Sequence, residues 1–256
     1  MPVIVLEDAW KRFRIPHGRR PIILDQIAGA LSLFDAKRYS YEELWALKAV
    51  SFELEKGESL GIIGPNGSGK STLLKIIAGV MRLDKGRVIT NGSATAILEL
   101  GIGFHDDLTV KENAIIYGVI MGMPRHEMKG KTESILEFAK LTRFRDAKLR
   151  TLSSGMQVRL AFSIAVQTEA DVFLVDEALA VGDLEFQEKC LNKFRDFKKQ
   201  GRTIVLVSHN LELVRTFCEK TLYLLNGETR AFGASDEATQ EYMRDVSEGR
   251  PKSLTR

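Results

Sequence analysis

The chain has 256 residues, a formal net charge of +3 and a hydrophobic fraction of 44%. Its length supports one large α/β domain or two small ones, and its composition is that of an ordinary globular protein. The small net charge gives no argument for nucleic-acid binding.

The N-terminal stretch, the longest apolar run and the cysteines together indicate the cellular compartment of the chain. Acidic residues interrupt the N-terminal stretch MPVIVLEDAW, so no signal peptide is expected, and the longest apolar run, AIIYGVIMGM, is too short to span a bilayer. Any membrane role is therefore expected to act through a partner. Cys190 and Cys218 lack the spacing of a metal site or a redox pair, which indicates reduced thiols in a cytosolic compartment.

Strand-like and helix-like segments alternate along the chain, which predicts an α/β fold with a largely parallel sheet. In chain order, we expect a strand at VIVLED, two strands around Lys56-Gly57 in AVSFELEKGESLGIIG, and further strands in RVITNGSATAILEL. Helices are expected from LTVKENA to about Val166, and strands at DVFLVDE and TIVLVSH, each followed by a helix. KTLYLLNGETRAFG predicts a hairpin whose Asn226-Gly227 pair suits a type I′ turn. The polar end, SEGRPKSLTR, predicts disorder.

The strongest motif is the glycine-rich loop GPNGSGKST, which fits G-x-x-x-x-G-K-S/T between a predicted strand and a predicted helix. Its glycines allow the backbone to curl until successive N–H groups point at phosphate oxygens. Lys70 supplies a charge for the β- and γ-phosphates, and the Ser71 hydroxyl is a candidate magnesium ligand. The predicted nucleotide-binding residues are Gly64, Pro65, Asn66, Gly67, Ser68, Gly69, Lys70, Ser71 and Thr72.

Acidic residues and a histidine follow two later strands. Asp176 and Glu177 end DVFLVDE, where Asp176 would hold magnesium through water and Glu177 would orient or deprotonate the attacking water. The alternative is that both acids cap the next helix. His209 ends TIVLVSH, where its side chain would reach a γ-phosphate, although a lone histidine at a strand end is usually structural. We predict Glu177 and His209 as catalytic residues.

A capped helix is predicted in TLSSGMQVRLAFSIAV, with Ser153 as the N-cap. Backbone amides and the helix dipole favour an anion at such an N-terminus. The alternative is a plain helix start signal.

Together, these motifs resemble the ATP-binding subunit of ABC transporters, over residues 3 to about 232. The resemblance implies an α/β fold: a RecA-like P-loop NTPase core with an antiparallel β subdomain and an inserted helical subdomain. It also implies ATP hydrolysis with Mg²⁺ and an ATP-sandwich homodimer, in which LSSGM meets the γ-phosphate held by the other subunit. By this resemblance, the residues that complete a neighbour's site are Ser153, Ser154 and Gly155, and Asp183 ends ALAVGD, the loop that crosses the dimer interface.

The implied domain organisation places the nucleotide-binding domain at 1–245. It comprises a core at 1–104 and 167–245, a helical subdomain at 105–166 and an insertion at 14–45, and is followed by a flexible tail at 246–256.

Some residues depart from the family pattern. Ser154 stands where the family commonly has glycine, and the loop LELGIGFHDDLTVKENA lacks the glutamine that usually meets magnesium and the transmembrane partner. Glu99 is the nearest polar candidate for that role, although its carboxylate would repel the γ-phosphate. Phe13 matches the position that stacks on adenine, with Tyr41 and Trp45 as alternatives.

Together, SSGM, LELGIGFHDDLT and DEALAVGD resemble the corresponding motifs in the ATPases of bacterial polysaccharide exporters, which move O-antigen, capsule or teichoic acid, and the 14–45 insertion is also similar to theirs. Their resemblance implies a membrane permease that handles the lipid-linked glycan, a peripheral position at the cytoplasmic face of the inner membrane, and no nucleic-acid partner. The alternatives are a drug or lipid exporter and a non-transport ABC protein. Within the insertion, an apolar set favours a helix packed on its own domain over lipid or permease contact: Ile23, Ile27, Leu31 and Phe34.

Overall fold

The computed structural model describes residues 1–17, 40–98, 101, 103–177 and 182–250. Within them, the strands are β1 (Pro2–His17), β2 (Ser40–Glu55), β3 (Ser59–Ile63), β4 (Lys85–Thr90), β5 (Ala94–Ile97), β6 (Val172–Asp176), β7 (Thr203–Val207), β8 (Lys220–Leu225) and β9 (Glu228–Ala234). The helices are α1 (Lys70–Ile77), α2 (Val110–Ile120), α3 (Arg125–Phe138), α4 (Ser154–Ala165), α5 (Leu184–Lys199), α6 (Leu211–Phe217) and α7 (Ser235–Ser247). Short 3₁₀ turns lie at Thr142–Phe144 and Leu149–Thr151.

The strands form two sheets. The larger has the order β5-β6-β7-β3-β8-β9 and is parallel except for β9, while the smaller is antiparallel with the order β2-β1-β4. All five residues of β3 and of β7 are buried, as expected for parallel strands covered on both faces. Because parallel strands end at the same edge, the segments after β3, β6 and β7 are brought together there. This confirms the predicted α/β fold with its antiparallel sheet.

Two cores cover the larger sheet. On one face, the smaller sheet and α1 pack around residues such as Ile4, Leu73 and Leu174. On the other, α5 and α6 pack around an aromatic group that includes Phe173 and Phe194. The phosphate loop therefore leaves the sheet between a packed strand and a packed helix, which fixes it at both ends.

Helices α2, α3 and α4 enclose a third core, and their extent confirms the helical pattern predicted from LTVKENA to Val166. Helix α2 begins with a capping box in which Thr109 and Glu112 exchange hydrogen bonds. Helix α4 begins after Ser153, whose hydroxyl oxygen accepts from the Met156 N–H at 3.3 Å. The predicted N-cap is confirmed.

The long strands β1 and β2 stay paired as far as His17 and Ser40, so the flanks of the predicted insertion continue the smaller sheet. The four apolar residues predicted as a packed helix, Ile23, Ile27, Leu31 and Phe34, lie outside the described residues. Cys190 and Cys218 are free and buried, and burial raises the pKa of each thiol to about 12. No helix of the described ranges is long and apolar enough to cross a bilayer.

Candidate nucleotide-binding site

The phosphate loop joins β3 to α1 and depends on glycine. Gly64, Gly67 and Gly69 have φ values of 146°, 79° and 104°, a region that residues with a Cβ avoid. A Cβ on Gly69 would also lie 2.3 Å from the carbonyl oxygen of Ala46 in β2. The predicted curl is present, and the loop has no room for a larger residue at this contact.

Lys70 opens α1 and lies at the centre of the loop. Its ammonium group donates to the carbonyl oxygens of Gly64 and Pro65, both at 2.9 Å, and the residue is 7% exposed. Burial lowers the pKa of Lys70, while the negative charges of Glu177 and Asp176 act in the opposite direction. Such a partly desolvated cation interacts more strongly with a phosphate than a fully hydrated one would.

Asp176 ends β6 beside α1. Burial raises the pKa of its carboxyl group, and a hydrogen bond with Ser71 opposes that shift. A hydroxyl and a carboxylate in contact are oxygen donors of the type that Mg²⁺ prefers. Among the described residues, no group of three His, Cys, Asp or Glu side chains is placed to hold a metal. The donors present thus fit Mg²⁺ that takes its remaining ligands from water and phosphates.

Glu177 and His209 meet although they lie on different strand ends. The His209 Nε2 is 2.8 Å from the Glu177 Oε1, and the two side chains are about half exposed. The Glu177 backbone has φ of 53°, and its N–H donates to the Val207 carbonyl oxygen at 3.0 Å. A non-glycine residue with positive φ is strained, and here a neighbouring strand holds it in place.

A cavity of about 420 Å³ extends from the phosphate loop towards β1 and β2. Phe13 and Trp45 both line this cavity, whereas Tyr41, which is 54% exposed, is not among the described lining residues. The rings of Trp10 and Trp45 form a T-shaped pair with centroids 5.4 Å apart, and the guanidinium group of Arg12 lies over the Trp45 ring. The predicted loop residues that line the cavity are Asn66, Gly67, Gly69, Lys70, Ser71 and Thr72.

The N-terminal end of α4 is exposed to solvent. Ser153, Ser154 and Gly155 are exposed and are not among the described residues that line the phosphate cavity, and a Cβ on Gly155 would contact nothing within 4 Å. Asp183 is the N-cap of α5 and accepts from the Phe186 N–H at 2.9 Å. Glu99 and residues 178–181 lie outside the described residues.

Two residues near the site, Arg159 and Gly227, were not predicted to belong to it, although Gly227 was predicted as a turn residue. The Arg159 guanidinium lies 3.6 Å from the Asp183 carboxylate and joins α4 to the start of α5. A signal existed, since Arg159 places a charge directly before the buried run of α4, whose residues 160–165 are all buried. The second, Gly227, lies 155 positions or more from the residues of the phosphate loop, and no local pattern links the two.

The sequence profile described as ABC transporter matches residues 47–180. An O-antigen export system ATP-binding protein of Klebsiella pneumoniae is 39% identical and aligns over 94% of this chain and 97% of its own length. A protein of the same description from Myxococcus xanthus is 41% identical over 96% of this chain. The chain belongs to the ABC transporter family.

As a member of that family, the chain is an ATPase of the ABC type, whose hydrolysis of ATP is coupled to transport. A teichoic acids export ATP-binding protein of Listeria innocua is a further relative, 40% identical over 85% of this chain. This ABC ATPase spans 57% of the Myxococcus relative and 64% of the Listeria one. The fold agrees with a solved dimeric ATP-binding cassette in a post-hydrolysis state, with a TM-score of 0.71 and 24% identity over 91% of this chain and 98% of that one.

Proposed function

We propose that this chain is the ATP-hydrolysing subunit of an exporter of lipid-linked polysaccharide such as O-antigen, capsule or teichoic acid. The observation that carries the proposal is the identity of 39 to 41% to ATP-binding proteins named for O-antigen and teichoic acid export. ATP chemistry does not encode the cargo, so the cargo rests on these relatives and the reaction rests on the site.

In the proposed reaction, Glu177 accepts a proton from the water that attacks the γ-phosphorus, the bond from that phosphorus to the β–γ bridging oxygen breaks, and the oxygen leaves with ADP. His209 orients Glu177 through their contact. Lys70 neutralises the β- and γ-phosphates. Ser71 and Asp176 would hold Mg²⁺, which supplies Lewis-acid polarisation of the phosphates when bound. Phe13 is the proposed adenine platform, because it lines the cavity and keeps 37% of its surface exposed, whereas the Trp45 ring already packs against Trp10.

One complete site is proposed to need two chains. The start of α4 offers Ser153, Ser154 and Gly155 to solvent, and its amides and dipole attract an anion. Within one chain these residues lie apart from the phosphate cavity, so we infer that they close the γ-phosphate site of a second copy. The dimer would work under a separate membrane permease at the cytoplasmic face of the inner membrane, and the permease would handle the glycan.

The reaction is tested with Glu177→Gln, which keeps the shape of the side chain and removes its basicity. The variant should bind ATP as the parent does, hydrolyse it at a small fraction of the parent rate and accumulate as an ATP-bound dimer in size-exclusion chromatography. Glu188→Gln is the matched control, because Glu188 is an exposed acid of α5 outside the cavity. Parental turnover by Glu177→Gln would show that another residue is the base.

A further inference from the structure

A turn distant in sequence from the phosphate loop is joined to it through the backbone. Asn226 and Gly227 link β8 to β9, and the Gly227 N–H donates to the Ser68 carbonyl oxygen at 3.2 Å. The Gly227 carbonyl oxygen accepts from the Lys48 N–H at 2.8 Å. One glycine therefore bridges the phosphate loop and β2, the strand whose Trp45 also lines the cavity.

The three segments approach so closely that two of them require glycine. A Cβ on Gly69 would lie 2.3 Å from the Ala46 carbonyl oxygen, and a Cβ on Gly227 would lie 2.8 Å from the same atom. Both glycines have positive φ, 104° and 83°. Because that carbonyl belongs to the backbone of a paired strand, it does not move aside as a flexible side chain would.

The loop also passes close to β8 itself. A Cβ on Gly64 would lie 2.2 Å from the carbonyl oxygen of Leu224, near the end of β8. Ser68 is 1% exposed, yet its hydroxyl has no hydrogen-bond partner among the described residues. At Ser68, the loop is therefore held by the hydrogen bond from the turn to the main-chain carbonyl and not by the serine hydroxyl.

We propose that the β8–β9 turn sets the distance between the phosphate loop and β2, with Gly227 as a positioning residue for the nucleotide. This inference rests on the proposed nucleotide site. ATP and ADP would span the cavity from the loop to Phe13, which is paired with Leu44 of β2, so their affinity depends on that distance. Inorganic tripolyphosphate would occupy the loop alone, so its affinity does not depend on the distance between the loop and β2.

Gly227→Ala tests the proposal, with Gly201→Ala as the matched control. Gly201 has a similar φ of 73°, but a Cβ there would contact nothing within 4 Å, so the control carries the backbone strain without the collision. Dissociation constants are measured with a fluorescent ATP analogue and by competition with ATP, ADP and tripolyphosphate in the presence of Mg²⁺. We expect Gly227→Ala to weaken ATP and ADP about fivefold, the equivalent of one hydrogen bond, and to leave tripolyphosphate within about twofold. The control should leave all three within about twofold of the parent.

Unchanged ATP affinity in Gly227→Ala overturns the inference, and so does an equal loss for ATP and tripolyphosphate, which would mean that the turn shapes the loop alone. A second measurement needs no variant. In the parent chain, saturating ADP should slow hydrogen exchange in a peptide covering 225–229, although these residues are not among those lining the phosphate cavity. Unaltered exchange there also overturns the inference. A parent chain that binds no nucleotide refutes the proposed function itself, which distinguishes the two failures.

Discussion

Replacing His209 by alanine is expected to slow ATP hydrolysis about 100-fold, equivalent to about 2.7 kcal/mol of transition-state stabilisation. The reason is geometric, because His209 Nε2 lies 2.8 Å from the Glu177 carboxylate and fixes the orientation of the proposed base. The pair is about half exposed, so it contributes no more than about 1 kcal/mol to folding, and the melting temperature should change little. His209 is not among the described residues that line the phosphate cavity, so the dissociation constant for ATP should stay within about threefold.

The assay compares steady-state phosphate release with equilibrium ATP binding for the parent, His209→Ala and His126→Ala. His126 is an exposed histidine of α3, and its replacement controls for the loss of an imidazole elsewhere. The double variant Glu177→Gln/His209→Ala should be scarcely slower than Glu177→Gln alone, because both changes disable one unit. A kcat for His209→Ala within about threefold of the parent would refute the assigned role of the contact.

Three further outcomes are expected. Lys70→Ala should lose most ATP affinity, as measured by equilibrium binding, since the loop contains no other cation; parental affinity would contradict this. Mixtures of Lys70→Ala and Ser154→Arg chains should regain one working site per mixed dimer, so phosphate release should reappear without exceeding half of the parental value; a mixture that stays as inactive as the separate variants would contradict shared sites. Burial holds the pKa of Asp176 above its ordinary value, so the ionised carboxylate destabilises the nucleotide-free fold above that raised pKa. Asp176→Asn should therefore raise the melting temperature at pH 7, with the difference vanishing below about pH 4, while Mg²⁺-dependent hydrolysis is lost; a lower melting temperature at pH 7 would refute this.

The parts of the site that local sequence encodes were predictable. The order of apolar strand, glycine-rich loop and helix requires one geometry for residues 64–72, and the structure has it. Asp176, Glu177 and His209 follow buried strands, and the carboxyl ends of parallel strands meet at one edge of the sheet. The serine N-cap and the Asn226-Gly227 turn were likewise predictable, because a few adjacent residues determine each of them.

The remaining features depend on contacts between distant segments. The hydrogen bond from Gly227 to Ser68 joins residues that share no periodicity, and the Arg159–Asp183 pair crosses from one helix to another. Helix α7 was absent from the sequence prediction, and its buried residues are small or polar rather than large and apolar: Ser235, Ala238, Thr239 and Asp245. Asp245 of this helix is fully buried and pairs with Arg230 of β9 at 3.2 Å. No pattern within a single segment predicts this pair.

The most direct test of the account measures the polysaccharide in the host organism. A strain that lacks this chain is complemented with the parent sequence or with Glu177→Gln, and lipid-linked polysaccharide is quantified separately inside the cell and at the surface. We predict intracellular accumulation and loss of surface polysaccharide in the deletion strain and with Glu177→Gln, and restoration with the parent. Normal surface polysaccharide in the deletion strain, together with hypersensitivity to small hydrophobic drugs, would contradict the proposed cargo.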